Sequence, residues 1–149
     1  MTKRTAQTRT ATETQALGTA LAADLRGGDV VLLRGDLGAG KTTLAQGIAR
    51  GLGVPGAVQS PTFTLIAEYD APGLGPDGRL VHVDLYRLES AADVASIGLD
   101  DYLDHPATVT VVEWPERTDL SGFPRHWVIT LVINDDESRE ISIVEPIDE

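Results

Sequence analysis

Apolar positions along the chain change period twice. Leu17, Leu21 and Leu25 recur at helical spacing, and Thr12 with Gln15 has capping-box spacing. A helix is predicted over about 13–25, closed by Gly27 and Gly28. Val30 to Arg34 is an unbroken valine and leucine run, the mark of a buried strand. A glycine-rich turn follows. Leu44, Ile48 and Leu52 then repeat every four residues in a second helix over 41–52, stopped by Gly53 and Pro55. Beyond it the period drops to that of strands. Residues 62–69 set Phe63, Leu65 and Ala67 against Thr64, Ile66 and Glu68. Residues 80–86 set Val81, Val83 and Leu85 against Leu80, His82, Asp84 and Tyr86, after a Gly- and Pro-rich loop at 71–78. Residues 90–104 read as one or two short helices broken at Gly98. Thr108 to Trp114 is a strongly β-branched run, and 127–133 and 139–144 flank Asn134–Ser138 as a closing hairpin. Residues 1–11 are polar, threonine-rich and basic, and are predicted to fray as a tail. The pattern predicts one α/β domain over 12–149. It has three layers, a mostly parallel sheet between helices, extended by the antiparallel hairpin 127–144.

Composition narrows what such a domain can do. Of 149 residues, 42% are hydrophobic, which suits one packed core. The net charge of −11 argues against a free-standing binder of nucleic-acid phosphates, since that affinity comes from Lys and Arg. An acidic protein can still enter a nucleic-acid pathway by docking onto a basic partner. The absence of Cys excludes disulfides, zinc ribbons, thiolate nucleophiles and iron–sulfur clusters. The N-terminus lacks the apolar core of a signal peptide, and no apolar run reaches the roughly 18 residues of a membrane helix. A cytoplasmic location with no membrane contact is expected.

Gly35-Asp-Leu-Gly-Ala-Gly40-Lys41-Thr42 fits G-x-x-x-x-G-K-[ST], the P-loop pattern, and its context fits as well. It follows a predicted buried strand and opens a predicted helix. Glycines allow consecutive backbone N–H groups to turn inward as an anion nest, and the helix start adds unpaired donors and a positive dipole end. Lys41 is placed for the β- and γ-phosphates, the Thr42 hydroxyl for Mg²⁺, and Thr43 for the α-phosphate. A glycine-rich strand–helix turn with an incidental Lys is the plainer alternative. Guanine-specific GTPases use N-K-x-D, and the only Asn here is Asn134, followed by Asp, so ATP is the expected nucleotide.

Such a loop needs a carboxylate at the end of a neighbouring buried strand, to hold Mg²⁺ or to orient the attacking group. Thr108–Val112 ends in Glu113, and Leu80–Val83 ends in Asp84. Either or both can serve, one directly and one through water; the plainer alternative is that each opens a solvated loop. Ser60-Pro61-Thr62 lies where P-loop proteins often place a γ-phosphate-sensing segment, although composition alone favours a plain proline turn. His82 is expected to be a packed or hydrogen-bonded imidazole rather than a catalyst, and Trp114 either covers the site or fills a core edge. Residues 134–149 hold seven acids and one Arg, read as a solvated hairpin and tail or a face for a basic partner.

Gly35-Asp-Leu-Gly-Ala-Gly-Lys-Thr-Thr43, Ser60-Pro-Thr-Phe-Thr-Leu65, His82-Val-Asp-Leu-Tyr-Arg87 and Val112-Glu-Trp-Pro-Glu116 occur in this order. Together they resemble the TsaE family (also called YjeE), over about 12–143. The resemblance implies a P-loop ATPase of tRNA N6-threonylcarbamoyladenosine biosynthesis that binds ATP and Mg²⁺, with no other metal, and hydrolyses ATP slowly by itself. It implies TsaB and TsaD as partners, with TsaD making the transfer to tRNA, so that this chain meets tRNA only through the complex. Carried over by position, Asp36, Leu37, Gly38, Ala39, Gly40, Lys41, Thr42 and Thr43 hold the phosphates. Thr42 and Glu113 bind Mg²⁺, and Asp84 is a second functional acid that can share the metal. By the same resemblance Lys41, Asp84 and Glu113 form the catalytic set, Ser60 and Thr62 lie in the switch-like segment, Trp114 lies beside the nucleotide, and Thr14 approaches the adenine. Leu44 stands where the family often has an aromatic, a change in packing alone. A small-molecule kinase would share the loop and the acid-ended strand, but it usually carries an Arg-rich lid, and Arg residues here are scattered. A non-catalytic, nucleotide-dependent docking module is the third reading.

Overall fold

The computed structural model describes residues 3–36, 38–56, 58, 65–88, 93, 99, 102–103, 105–117 and 125–146. In chain order the elements are β1 (Lys3–Thr8), α1 (Ala11–Ala22), β2 (Val30–Arg34), α2 (Lys41–Gly51), β3 (Ile66–Asp70), β4 (Arg79–Asp84), β5 (Thr108–Glu113), β6 (His126–Ile133) and β7 (Arg139–Val144). The strands form one sheet in the order β1-β7-β6-β2-β5-β4-β3. Its centre is parallel, β6 with β2, β2 with β5 and β5 with β4. Both flanks are antiparallel, β3 on β4 at one side and β7 then β1 at the other. The predicted parallel core is therefore extended at both edges. The first hairpin strand, β6, is itself part of the parallel core.

Alternation along the central strands decides what faces what. Val31, Leu33, Val109, Val111, Trp127, Ile129 and Leu131 lie in a core cluster with Leu21 of α1 and Leu44 and Ile48 of α2. Val30, Leu32, Val81, Val83 and Val112 pack on the opposite face with Leu85 and Leu99, joined by Leu88, Tyr102 and Leu103. The helices predicted over 90–104, which would form the third layer, lie mostly outside the described residues. The other face is closed by α1 against α2, which approach closely because a Cβ on Gly18 would strike the backbone of Leu44, Gly47 and Ile48. Thr19 Oγ1 donates to the Gly47 carbonyl at 3.0 Å across that seam.

Two boundaries differ from expectation. Residues 3–8 of the predicted tail form edge strand β1, in register with β7 from Lys3↔Val144 to Thr8↔Arg139. An edge strand takes its stability from main-chain hydrogen bonds and needs no apolar stripe, and its charged residues discourage further pairing. Arg4 lies 3.3 Å from Asp24 and 3.8 Å from Glu145. Helix α1 begins earlier than predicted, capped by Thr10: its hydroxyl accepts from Glu13 N at 3.1 Å, and Glu13 Oε1 accepts from Arg9 N at 3.4 Å. Thr12–Gln15 has the same spacing, but the carboxylate of Glu13 is the stronger acceptor. No helix among the described residues is long and apolar enough to cross a membrane.

Candidate functional site

The C-terminal ends of β2, β4 and β5 meet at one edge of the parallel core, where Leu33 is opposite Glu113 and Asp84 is opposite Glu113. The glycine-rich loop leaves β2 here. Gly35, Gly38 and Gly40 have φ of 151°, 81° and 105°, and a Cβ on Gly35 would come within 2.7 Å of the Leu131 carbonyl. Gly40 is the N-cap of α2 and has no side chain to cap it. The first-turn amides of this helix are thus left to whatever lies in the loop. Asp36 and Gly38 are exposed, Ala39 and Lys41 are buried, and Gly40, Thr42 and Thr43 are half-buried. Leu37 and the Ser60–Thr62 segment lie outside the described residues.

Strand alternation brings the chemistry to one face. Leu80, His82 and Asp84 share a side of β4, as Val109, Val111 and Glu113 share a side of β5, and Leu80, Val109 and Val111 belong to the core under the helices. His82, Asp84 and Glu113 therefore lie on the α2 side, all buried. Thr42 Oγ1, at the start of α2, donates to both Glu113 oxygens, at 3.1 and 3.2 Å. His82 Nε2 lies 2.6 Å from Glu113 Oε2, while His82 Nδ1 has no hydrogen-bond partner among the described residues. A carboxylate only accepts, so Nε2–H is the donor in this contact. Asp84 Oδ1 accepts from Tyr86 N at 2.9 Å.

Lys41 Nζ donates to the Gly35 carbonyl and sits 3.6 Å from the centroid of the Trp114 ring. Burial lowers its pKa from the ordinary 10.5, while Glu113, Glu116, Asp84 and Asp36 pull it back up. Trp114 has φ 61°, a left-handed conformation rare for such a residue, and its ring lies 4.9 Å from that of Tyr86, tilted by 44°. Thr14 is buried beside the loop, its Cγ2 3.8 Å from where a Gly40 Cβ would be. Its hydroxyl is bonded to Thr8 Oγ1 at 2.7 Å and donates to the Thr10 carbonyl at 3.3 Å.

The structure thus gathers Thr14, Gly38 to Thr42, Asp84, Glu113 and Trp114 at one edge. Two further residues join them. His82, expected as a packed or hydrogen-bonded imidazole, is bonded to Glu113 itself. Arg139, read as the lone cation of an acidic tail, donates to the Ala39 and Gly38 carbonyls at 3.2 and 3.3 Å. Alternation could have revealed His82, two residues before Asp84. Nothing local marks Arg139.

The donor set suits a divalent cation that arrives with a ligand. Among the described residues no group of three or more His, Cys, Asp or Glu could hold a metal by itself. A part-buried hydroxyl–carboxylate pair, Thr42 with Glu113, can offer an oxygen from each, and Mg²⁺ commonly takes one or two protein ligands plus phosphate oxygens. The four carboxylates acting on Lys41 would also repel a bare polyphosphate.

Comparison with known proteins gives consistent matches. The family described as "Threonylcarbamoyl adenosine biosynthesis protein TsaE" matches residues 8–141. A Bacillus subtilis protein named "tRNA threonylcarbamoyladenosine biosynthesis protein TsaE" is 42% identical over 87% of this chain and 78% of its own length. A Treponema pallidum protein of the same name is 41% identical over 91% of this chain and 96% of its own. A Streptomyces coelicolor protein, also so named, is 52% identical over 67% of this chain and 66% of its own. Among solved structures, the crystal structure of Bacillus subtilis YdiB superposes with a TM-score of 0.79 at 33% identity, covering 98% of this chain and 87% of that one.

Proposed function

This chain belongs to the TsaE family, and from that membership we propose that it is the Mg²⁺-dependent ATPase subunit of tRNA N6-threonylcarbamoyladenosine biosynthesis. The observation that carries the reading is the contact of Thr42 with Glu113, 71 residues apart, which joins the glycine-rich loop to an acid-ended strand. Those are the two halves of an ATP–Mg²⁺ site.

In this reading the first-turn amides of α2 and the inward N–H groups of the loop bind the phosphates. Lys41 exchanges the Gly35 carbonyl for a β- or γ-phosphate oxygen, a charge-assisted bond in place of a neutral one. Thr42 and Glu113 hold Mg²⁺, which when bound supplies positive charge to the β and γ oxygens. His82 keeps the Glu113 carboxylate in one orientation, and Asp84 orients the attacking water. Trp114 shields Lys41 and the bound nucleotide from solvent, and Thr14 packs under the loop toward the base. Among the described residues no strong general base stands at the site, which favours slow turnover by the isolated chain.

TsaB and TsaD are the proposed partners, and the net charge of −11 favours docking on protein rather than a direct grip on tRNA. The test is calorimetry with ATP and ADP, followed by phosphate release with and without TsaB–TsaD. Uptake of nucleotide, slow release alone and an altered rate in the complex are expected; correctly folded protein that takes up neither nucleotide refutes the reading. Lys41→Ala should weaken ATP binding about 100-fold, equivalent to about 2.7 kcal/mol. Affinity within twofold of the parent would remove Lys41 from the phosphate site.

A further inference from the structure

The β6–β7 ribbon forms the back wall of the glycine-rich loop. Leu131 of β6 lies against Gly35 and Gly40, and Arg139 of β7 reaches the carbonyls between them. Arg139 sits opposite Ile133 on β6 and Thr8 on β1, at the join of three strands. Its Nη1 donates to the Glu137 carbonyl, in a hairpin turn where Glu137 has φ 66°. Nε and Nη2 go to Ala39 and Gly38. One planar guanidinium therefore ties the hairpin turn to two consecutive carbonyls of the loop.

We infer that Arg139 is a positioning residue that sets the anion nest before any nucleotide arrives. This rests on the loop being a polyphosphate site, as proposed above. For consecutive N–H groups to converge on an anion, the intervening carbonyls must turn outward, where their partial negative charges crowd one another. A rigid fork of donors satisfies two such carbonyls at once, which a point-charge ammonium cannot do. Three glycines with positive φ make this segment costly to order. Holding it from behind moves that cost from the binding step into the fold. Arg139 touches carbonyls rather than phosphate in this scheme, so it governs affinity for any polyphosphate and leaves the chemical step alone.

The test measures binding of ADP and of a non-hydrolysable ATP analogue with Mg²⁺, steady-state hydrolysis, and amide hydrogen exchange over 38–43 without nucleotide. Arg139→Ala should weaken both ligands about tenfold, raise KM alike and leave kcat within about twofold. Exchange over 38–43 should speed up while the melting temperature changes little. Arg139→Lys, which keeps the charge and loses the fork, should recover less than about a third of the lost affinity, and added guanidinium ion should rescue the alanine variant. Parent-like affinity in Arg139→Ala, or full recovery in Arg139→Lys, would overturn the inference. If Arg139→Ala does not fold, Arg139→Lys decides: parent affinity overturns it, and weakened affinity with a parent-like melt supports it. Should the parent protein itself take up no nucleotide, the proposed function fails, and the exchange comparison still judges the clamp.

Discussion

The two ends of β2 each border a buried carboxylate, and the two carboxylates are held in opposite ways. Asp29, just before β2, accepts from Arg26 N at 2.9 Å, Arg125 Nε at 3.0 Å and Trp127 Nε1 at 3.3 Å. Its charge is matched by a guanidinium, and every neighbour that bonds it is a committed donor. Glu113, beside the far end of β2, is as deeply buried, yet its hydrogen bonds among the described residues come from a hydroxyl and an imidazole. Neither is a permanent cation. A buried charge with full compensation is architecture. One whose hydrogen bonds come from adaptable partners can exchange them without breaking an ion pair.

Isosteric amides separate the two cases. Asp29→Asn would turn an NH₂ group toward surrounding donors and remove the charge that faces Arg125, so unfolding free energy should fall by about 2 kcal/mol, read from urea denaturation. Activity per folded molecule should stay the same. A loss under about 0.5 kcal/mol would erase the distinction. Glu113→Gln should do the reverse. Thr42 can rotate its hydroxyl to suit an amide, and the buried negative charge is gone. Stability should therefore stay within about 0.5 kcal/mol while Mg²⁺-dependent hydrolysis falls about 100-fold. Full activity would take Glu113 out of the metal site.

How much of this the chain reveals in advance follows from how local each contact is. The loop from Gly35 to Thr43 announces itself because its glycines, Lys and Thr are contiguous and flanked by a β-branched run and a four-residue repeat. Glu113 and Asp84 were legible as acids closing apolar strands, and their lateral alignment needed only parallel neighbours. The hairpin turn was legible in Asn134–Ser138, where Asn134 N donates to the Ser138 carbonyl at 2.8 Å. Strand β1 was hidden, since an edge strand needs no apolar alternation and looks like a polar tail. The α1 start was ambiguous because Thr10–Glu13 and Thr12–Gln15 share one spacing. The partners of His82 and Arg139 depend on register across 31 and 100 residues, which no local window contains.

Lys41 gives the most sensitive reading of the same contrast. Its ammonium is buried at the functional end of the sheet, where burial depresses the pKa more than Glu113, Glu116, Asp84 and Asp36 restore it. The folded protein thus binds fewer protons than the unfolded chain between the lowered value and 10.5. Across that alkaline window, stability without nucleotide should rise with pH, and it should lose this increment as pH falls through the lowered value. Phosphate oxygens facing Lys41 would raise its pKa again, so nucleotide binding in the window should take up a fraction of a proton. Calorimetry in two buffers of different ionisation heat measures that fraction directly. Lys41→Arg, charged throughout this range, should flatten this part of the melting-temperature profile. Asp29, already matched by Arg125, should leave the alkaline profile unchanged when replaced by Asn. A parent protein that takes up no proton on binding at alkaline pH would mean that Lys41 does not meet the phosphates. A profile as steep in Lys41→Arg as in the parent would place the titrating group elsewhere.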